Sequence, residues 1–535
     1  MEFKKNKLFF VIAGIFAFTG SLSAQFGMSD GVRKVATAMT IIEKMYVDDI
    51  DDNKFSDDAI TSLLEKLDPH STYIKADELK EMNEPLEGNF DGIGISFNMV
   101  TDTLYVIETI SGGPSERVGI LPGDRIIQVD DTIIAGVKMS TKDIMKRLRG
   151  PKGTTVNVKV KRRGIAELIE FKIKRDKIPI YSVDAAYMVD TSTGYIKINR
   201  FGATTHNEFM DAFKKLKQQN LHNLIVDLQG NGGGYLNAAT DIANELLGKG
   251  KLLVYTEGRN QPRFSEISKS NGIFENGRLV ILVNEGSASA SEIVSGAIQD
   301  WDRGVIVGRR TFGKGLVQRQ FPLPDGGAIR LTVSRYYTPT GRGIQKPYEK
   351  GDREDYDKDL INRYNHGEMM SADSIHFPDS LKYQTMINKR TVYGGGGIMP
   401  DYFVPLDTLT KYHVQLLAKG IIHKAYLQEV DNSRKTLLEK YPTVDSFKKD
   451  YVVSENLINK VLDMAKEEKV EFNEEQYNIS KPMILLQIKA LIAQNIYHTE
   501  DYYKIMNDEN PIFLKGLEII NDDKQYDSLL NNIKQ

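Results

Sequence analysis

The run from Leu279 to Ile298 constrains this chain more than any other stretch. It opens as an unbroken apolar segment, Leu279-Val280-Ile281-Leu282-Val283, and passes through Asn284-Glu285-Gly286-Ser287-Ala288-Ser289-Ala290-Ser291-Glu292. It continues with Ile293, Val294, Ala297 and Ile298, apolar residues spaced by three and four. A strand that ends in small residues and turns directly into a helix accounts for that pattern. Such a junction leaves one side chain at a helix N-terminus, where unpaired N–H groups and the helix dipole favour negative charge. An alkoxide or tetrahedral oxyanion formed there is stabilised in place. Ser289 is the candidate for that position. A plainer role fits the same residues. Ser289-x-x-Glu292 is also a capping box, in which the hydroxyl only ties down a backbone N–H.

A second motif follows, Thr311-Phe312-Gly313-Lys314-Gly315-Leu316-Val317-Gln318. A lysine between two glycines lies where backbones approach closely, a poor place for a solvated side chain. If the run beyond it is a strand, Lys314, Leu316 and Gln318 share one face. A lysine acts as general base toward a serine only when neutral, so its pKa must fall from about 10.4 toward roughly 7–8 through burial. Gln318 can hold the amine in line without adding a charge that would raise the pKa again. The bland alternative for Lys314 is an ordinary strand lysine.

Taken together, Gly286-Ser287-Ala288-Ser289-Ala290-Ser291-Glu292 and Thr311-Phe312-Gly313-Lys314-Gly315-x-Val317-Gln318 resemble the carboxyl-terminal processing peptidases, or tail-specific proteases. The resemblance runs from about Asp68 to Asp401. It implies a serine endopeptidase with a Ser-Lys dyad, usually completed by Gln, and an embedded PDZ domain. The implied nucleophile is Ser289, the base Lys314 and the third member Gln318. The implied fold class is α/β: a ClpP/crotonase-like spiral of ββα units with an inserted PDZ domain, a helical N-terminal arm and a helical C-terminal extension.

Composition narrows the remaining chemistry. The 535 residues are 41% hydrophobic and 27% charged, enough to bury sizeable cores in three or four domains. A net charge of −3 argues against nucleic acid as a main partner. The chain has no cysteine, which excludes thiol catalysis, disulfides, cysteine-ligated metal and a lipidated cysteine. Its eight histidines are scattered, with no His-Glu-x-x-His, so neither a metal nor a cofactor is expected.

In chain order, residues 1–24 read as an export signal: Lys4, Lys5 and Lys7, an apolar core from Leu8 to Phe18, then Ser21-Leu22-Ser23-Ala24. The alternative is an uncleaved membrane anchor, which would be the chain's one membrane contact. Residues 25–82 read as helical, with apolar stripes at Val32, Val35, Ala36, Met39, Ile42 and Met45 and at Ile60, Leu63, Leu64 and Leu67. The acidic run Asp48–Asp52 lacks the glycine an EF-hand loop needs and reads as a solvated loop. Leu67-Asp68-Pro69-His70-Ser71-Thr72-Tyr73 resembles the family's lead-in to its PDZ domain, so His70 is read as turn structure and not as a base.

Residues 83–176 resemble a PDZ domain. Gly92-Ile93-Gly94-Ile95 matches the loop whose N–H groups receive a peptide's terminal carboxylate, after which the peptide adds a strand to the sheet edge. Ser140-x-x-Asp143 caps a helix through Leu148, with Met145 and Leu148 turned to the sheet or groove. Apolar Ile93 and Ile95 beside the carboxylate position predict a preference for apolar C-terminal residues. The peptidase core spans 177–405. There the strand Leu224–Leu228 runs into Gln229-Gly230-Asn231-Gly232-Gly233-Gly234, which lacks the Walker Lys-Ser/Thr and has poor dinucleotide spacing. The family resemblance implies an oxyanion hole from N–H groups near Gly233 and of Ala290. Gly232 stands where many relatives carry proline, a departure that bears on which N–H points inward. Thr338–Ile344 and Gly394–Asp401 resemble the family's closing loops, and the charged stretch from about Tyr348 to Lys389 reads as a surface excursion.

Residues 406–535 read as a helical extension, open to docking, oligomerisation or a cleft-side arm. The expected partners are protein or peptide substrates with free C-termini, an adaptor protein and a second copy of the chain; the expected location is the periplasm or cell envelope of a bacterium. The rival from another class is a PDZ peptide-binding scaffold on a dead protease core. A third option, a Ser-His hydrolase, needs a histidine such as His206 or His222 beside Ser289.

Overall fold

The computed structural model describes residues 29–531 apart from 101 and 408, so the expected export signal lies outside the described residues. Its centre is a six-stranded sheet in the order Val183–Met188, Thr193–Ile198, Asn223–Asp227, Arg278–Val283, Val305–Gly308 and Tyr402–Phe403. The first pair is antiparallel and the others are parallel. Parallel neighbours require crossovers. Helices Thr205–Lys217, Leu236–Leu246 and Ala290–Asp300 lie in them.

Both faces of this sheet are covered, which explains its unbroken apolar strands. Ile196, Ile198, Leu224, Val226, Ile281 and Val283 pack with the three helices. The alternate residues Tyr195, Ile225, Val280, Leu282, Val305 and Val307 pack against Ile512, Phe513, Ile519 and Ile520. The last four belong to helix Pro511–Asn521. This helix is therefore part of the core, each of those side chains contributing about 1.5–3 kcal/mol by burial. A second, antiparallel sheet is built around the long strand Ala328–Tyr337, which pairs with Thr72–Ile74, Leu252–Gly258 and Leu316–Pro322.

The five main strands of a separate sheet, Ile95–Val100, Thr103–Thr109, Arg125–Val129, Thr155–Lys161 and Ile169–Lys174, close with helix Thr141–Leu148 over their own apolar core. Ile144 and Leu148 are the buried residues of that helix; Met145 stays half-buried. Strand Thr103–Thr109 is apolar on both faces. Leu104 and Val106 point inward, while Tyr105 and Ile107 join the C-terminal helical core with Tyr426, Leu427 and Val430. Arg125 adds an ion pair to Asp431 at 2.6 Å. Helix Ile421–Lys440 thus clamps this sheet from outside. The first helix is the opposite case. Asp30–Met45 buries none of its residues, and Val32, Val35, Ile42 and Met45 stand exposed.

Candidate active site

Three serines lie in the turn into helix Ala290–Asp300 and in its first turn. Ser287 and Ser291 are fully buried, and their hydroxyls donate to the carbonyls of Leu228 and Asn231, each at 2.8 Å. Ser289 is half-buried and lines a cleft of about 380 Å³. Its φ of 55° is strained for a residue with a side chain. The capping-box spacing is realised, with its strong half on the carboxylate: the Ser289 N–H donates to Glu292 Oε2 at 2.7 Å. The Glu292 N–H uses the Ser289 carbonyl at 2.9 Å.

The lysine turn is fastened to the serine turn by two side chains. Glu292, fully buried, accepts from Thr311 Oγ1 at 2.6 Å, Gly313 N at 2.7 Å and Lys314 N at 2.9 Å, besides the Ser289 N–H. Burial pushes its carboxyl up to about 7, and the four donors pull the other way. Three of the four neighbours are backbone N–H groups, so a proton on Glu292 finds an acceptor only if the Thr311 hydroxyl turns. From the opposite side, the buried Tyr336 hydroxyl lies 2.9 Å from the Ser289 carbonyl and 2.6 Å from the Lys314 carbonyl. Gly315 lets the Gln345 backbone pack against the lysine turn, since a Cβ there would meet Gln345 N at 2.8 Å.

Lys314 and Gln318 line the same cleft as Ser289. Lys314 Nζ donates to Gln318 Oε1 at 3.2 Å, and Gln318 Nε2 donates to the His70 carbonyl at 2.6 Å. The second bond fixes which end of the amide faces the lysine. No carboxylate is ion-paired with Lys314 among the described residues. Burial and then the Arg330 charge lower its pKa; Glu292 and Asp68 oppose them. The shared face expected of Lys314, Leu316 and Gln318 takes a different form. The strand begins at Leu316, beyond Lys314, and its register shifts between Val317 and Gln318. This irregularity interrupts the simple alternation of side chains and re-aims the glutamine.

The glycine turn abuts the serine. At Gly233, φ is 103°, and a Cβ would lie 2.8 Å from the Ala288 carbonyl and from Ser289 Cβ. The Gly233 N–H, however, donates to Asn231 Oδ1 at 2.9 Å in this conformation, while Gly232 and Gly234 line the cleft. Ala290, as the first helical residue, has an N–H without an intrahelical acceptor.

Among the described residues, no histidine lines the Ser289 cleft. His206 Nε2 is 3.0 Å from Glu245, and His222 Nε2 is 3.1 Å from Asn220. His70 Nε2 is 2.8 Å from the Tyr356 hydroxyl, and burial, followed by the Lys314 charge, pulls its pKa down to about 4. Among the described residues, no group of His, Cys, Asp and Glu could hold a metal ion, and no helix is long and apolar enough to cross a membrane.

The stretch expected as a surface excursion does more than that. Its helix Arg353–Asn365 buries Tyr356 and Arg363, and the Arg363 guanidinium donates to the carbonyls of Thr311 at 3.1 Å and Arg310 at 2.8 Å. Its charged sequence hid a buttress for the lysine turn, because those cations meet backbone carbonyls from a distant segment. At the expected carboxylate loop, Gly92 ends a strand paired with Asp176–Pro179, Ile93 is buried, and Gly94 has a φ of 73°. Ile95 begins an edge strand, Ile95–Val100, paired on one side with Thr103–Thr109.

The sequence models of known families agree with this layout. That of peptidase family S41 matches residues 192–355, the PDZ domain matches 92–174, and the activating protease CtpB N-terminal domain matches 18–78. A family of unknown function matches 412–498. The carboxy-terminal-processing protease of Bartonella bacilliformis is 34% identical over 355 residues, 64% of this chain and 80% of the relative. The carboxy-terminal processing protease CtpA of Bacillus subtilis is 34% identical over 353 residues, 65% of this chain and 74% of the relative. A solved photosystem II D1 C-terminal processing protease is 31% identical and covers 57% of this chain and 82% of its own, with a TM-score of 0.33. With four-fifths of one such relative covered at this identity, the chain belongs to the carboxy-terminal processing proteases, serine peptidases of family S41 that carry a PDZ domain.

Proposed function

We propose that this protease works through Ser289 as nucleophile, Lys314 as general base and Gln318 as the group that holds the lysine in line. The observation that carries the proposal is the double fastening of the Ser289 and Lys314 backbones by Glu292 and Tyr336, with a neutral amide as the lysine's partner. Neutral Lys314 takes the hydroxyl proton as Ser289 attacks the scissile carbonyl, and returns it to the leaving amine. Water, deprotonated by the same lysine, then releases the acyl-enzyme. The Ala290 N–H and an N–H of the Gly232–Gly234 turn hold the oxyanion; for Gly233 this means releasing its bond to Asn231.

Substrates are recognised by their C-termini. The terminal carboxylate lies on the Gly92–Ile95 loop and the peptide extends the edge strand Ile95–Val100. The domains follow the sequence boundaries, and the enzyme is exported to the periplasm or cell envelope. A second copy or an adaptor would find the open stripe of Val32, Val35, Ile42 and Met45. Incubating wild-type, Ser289→Ala and Lys314→Ala protein with a peptide carrying a free C-terminus tests the catalytic assignment. Turnover vanishes in both variants while peptide binding persists, and C-terminal amidation weakens binding in all three. Full activity in either variant refutes the assignment.

A further inference from the structure

The cleft that holds Ser289 and Lys314 has an unusual charge composition. Its lining includes one lysine, one arginine and the amides of Asn83, Gln318 and Gln320, and no aspartate or glutamate. The arginine is Arg330, on strand Ala328–Tyr337. It pairs across the strands with Gln320, which lies two residues from Gln318 on the same face. Gln320 is occupied elsewhere, its amide donating to Asn83 Oδ1 at 2.9 Å.

Arg330 is half-buried, yet has no hydrogen bond and no ion pair among the described residues. Other enclosed arginines of the same core have protein acceptors. Arg342 meets Asp300 at 2.7 Å, Arg390 meets Asp302 at 2.7 Å and Asp401 at 2.6 Å, and Arg303 donates to three backbone carbonyls. The N–H donors of Arg330, not engaged by the described residues, are available to an acceptor that enters the cleft. Its planar fork fits a carboxylate in two-point fashion. Burial lowers the pKa of Arg330, and its side chain lines the same cleft as Ser289 and Lys314.

We propose that Arg330 is a carboxylate-binding subsite of the cleft, which selects substrates that place a carboxylate beside the bond attacked by Ser289. The carboxylate is either an Asp or Glu side chain or the terminal α-carboxylate of a short downstream segment. The inference rests on the Ser289–Lys314 reading of the cleft. It is independent of the Gly92–Ile95 loop, which belongs to another sheet.

The test uses the full-length enzyme and a cleaved peptide in which Glu, or Gln as control, is scanned across the positions flanking the scissile bond. A parallel series varies the distance from that bond to a free or amidated C-terminus. Wild-type kcat/KM favours Glu over Gln at one position, or the free acid at one short distance, by about tenfold or more. The series that responds identifies the source of the carboxylate. Arg330→Gln removes that preference, Arg330→Lys retains part of it, and Arg330→Glu turns it toward Lys-containing peptides. Discrimination by the PDZ loop persists in all three. The same Glu-to-Gln ratio is read as peptide affinity in Ser289→Ala protein. A ratio unchanged in Arg330→Gln overturns the inference. So does an equal loss on every peptide accompanied by a pH shift, which would confine Arg330 to an effect on Lys314. Cleavage by Ser289→Ala protein would instead refute the nucleophile and leave the affinity ratio to stand or fall separately.

Discussion

Two enclosed lysines of the peptidase core show what a neighbour does to an amine. Lys197, 5% exposed on the central sheet, meets Asp227 Oδ1 at 3.2 Å and also donates to the Gln229 carbonyl. Asp227 is further held by the Tyr195 hydroxyl at 2.7 Å and the Gln229 N–H at 2.8 Å. Lys314 is also withdrawn from solvent, but its side chain meets the neutral Gln318 amide at 3.2 Å. An opposite charge at close range favours an ammonium, whereas burial alone disfavours it. The first lysine is ion-paired and ties two strand ends together. The second has no carboxylate partner, which suits the base role proposed for it.

Removing the groups at the reacting end has the largest expected effect. Ser289→Ala and Lys314→Ala each lower kcat by roughly 10³-fold or more, with circular dichroism unchanged, as single-turnover assays would show. Lys197→Met, in contrast, leaves Asp227 buried without its cation. Denaturant titration should record a loss of about 3–5 kcal/mol, with the pH profile of the folded enzyme unmoved. A profile that does move would erase the distinction between the two lysines.

Gln318→Glu sharpens the comparison by giving Lys314 the kind of partner Lys197 has. A carboxylate at that distance raises a lysine pKa by about 1–3 units. The base works only when neutral, so the acid limb of kcat/KM moves up in pH by that amount and activity returns in alkali. Glu292→Gln has a smaller effect. It turns one acceptor into a donor facing donors, costing about 1–3 kcal/mol in stability. Removing a negative neighbour also lowers the Lys314 pKa, so the limb moves down while turnover falls.

The sequence carried the pieces of the site that are contiguous in the chain. Ser289 and the Lys314–Gln318 segment stood out because small residues and glycines bracket them, and they line one cleft. The ties between them were hidden. Glu292 was legible as a helix cap, but its bonds to Thr311, Gly313 and Lys314 depend on tertiary approach. Tyr336 and Arg330 belong to no motif, and only the fold of strand Ala328–Tyr337 brings them to the site. The helical C-terminal region was visible from periodicity alone; that Ile512, Phe513, Ile519 and Ile520 cover the central sheet was not, since the strands they cover lie more than two hundred residues earlier.

The central claim is that Lys314 carries an uncharged amine beside Ser289 at working pH. A pH–rate limb cannot test it alone, because Glu292, with its carboxyl raised to about 7, could produce a limb of its own. The direct measurement is an NMR titration of lysine side-chain resonances in folded protein, with the Lys314 signal assigned by its loss in Lys314→Arg. The account predicts a Lys314 midpoint below the ordinary value of about 10.4, and a rise when Gln318 is replaced by Glu. A Lys314 signal titrating together with the exposed lysines would contradict it.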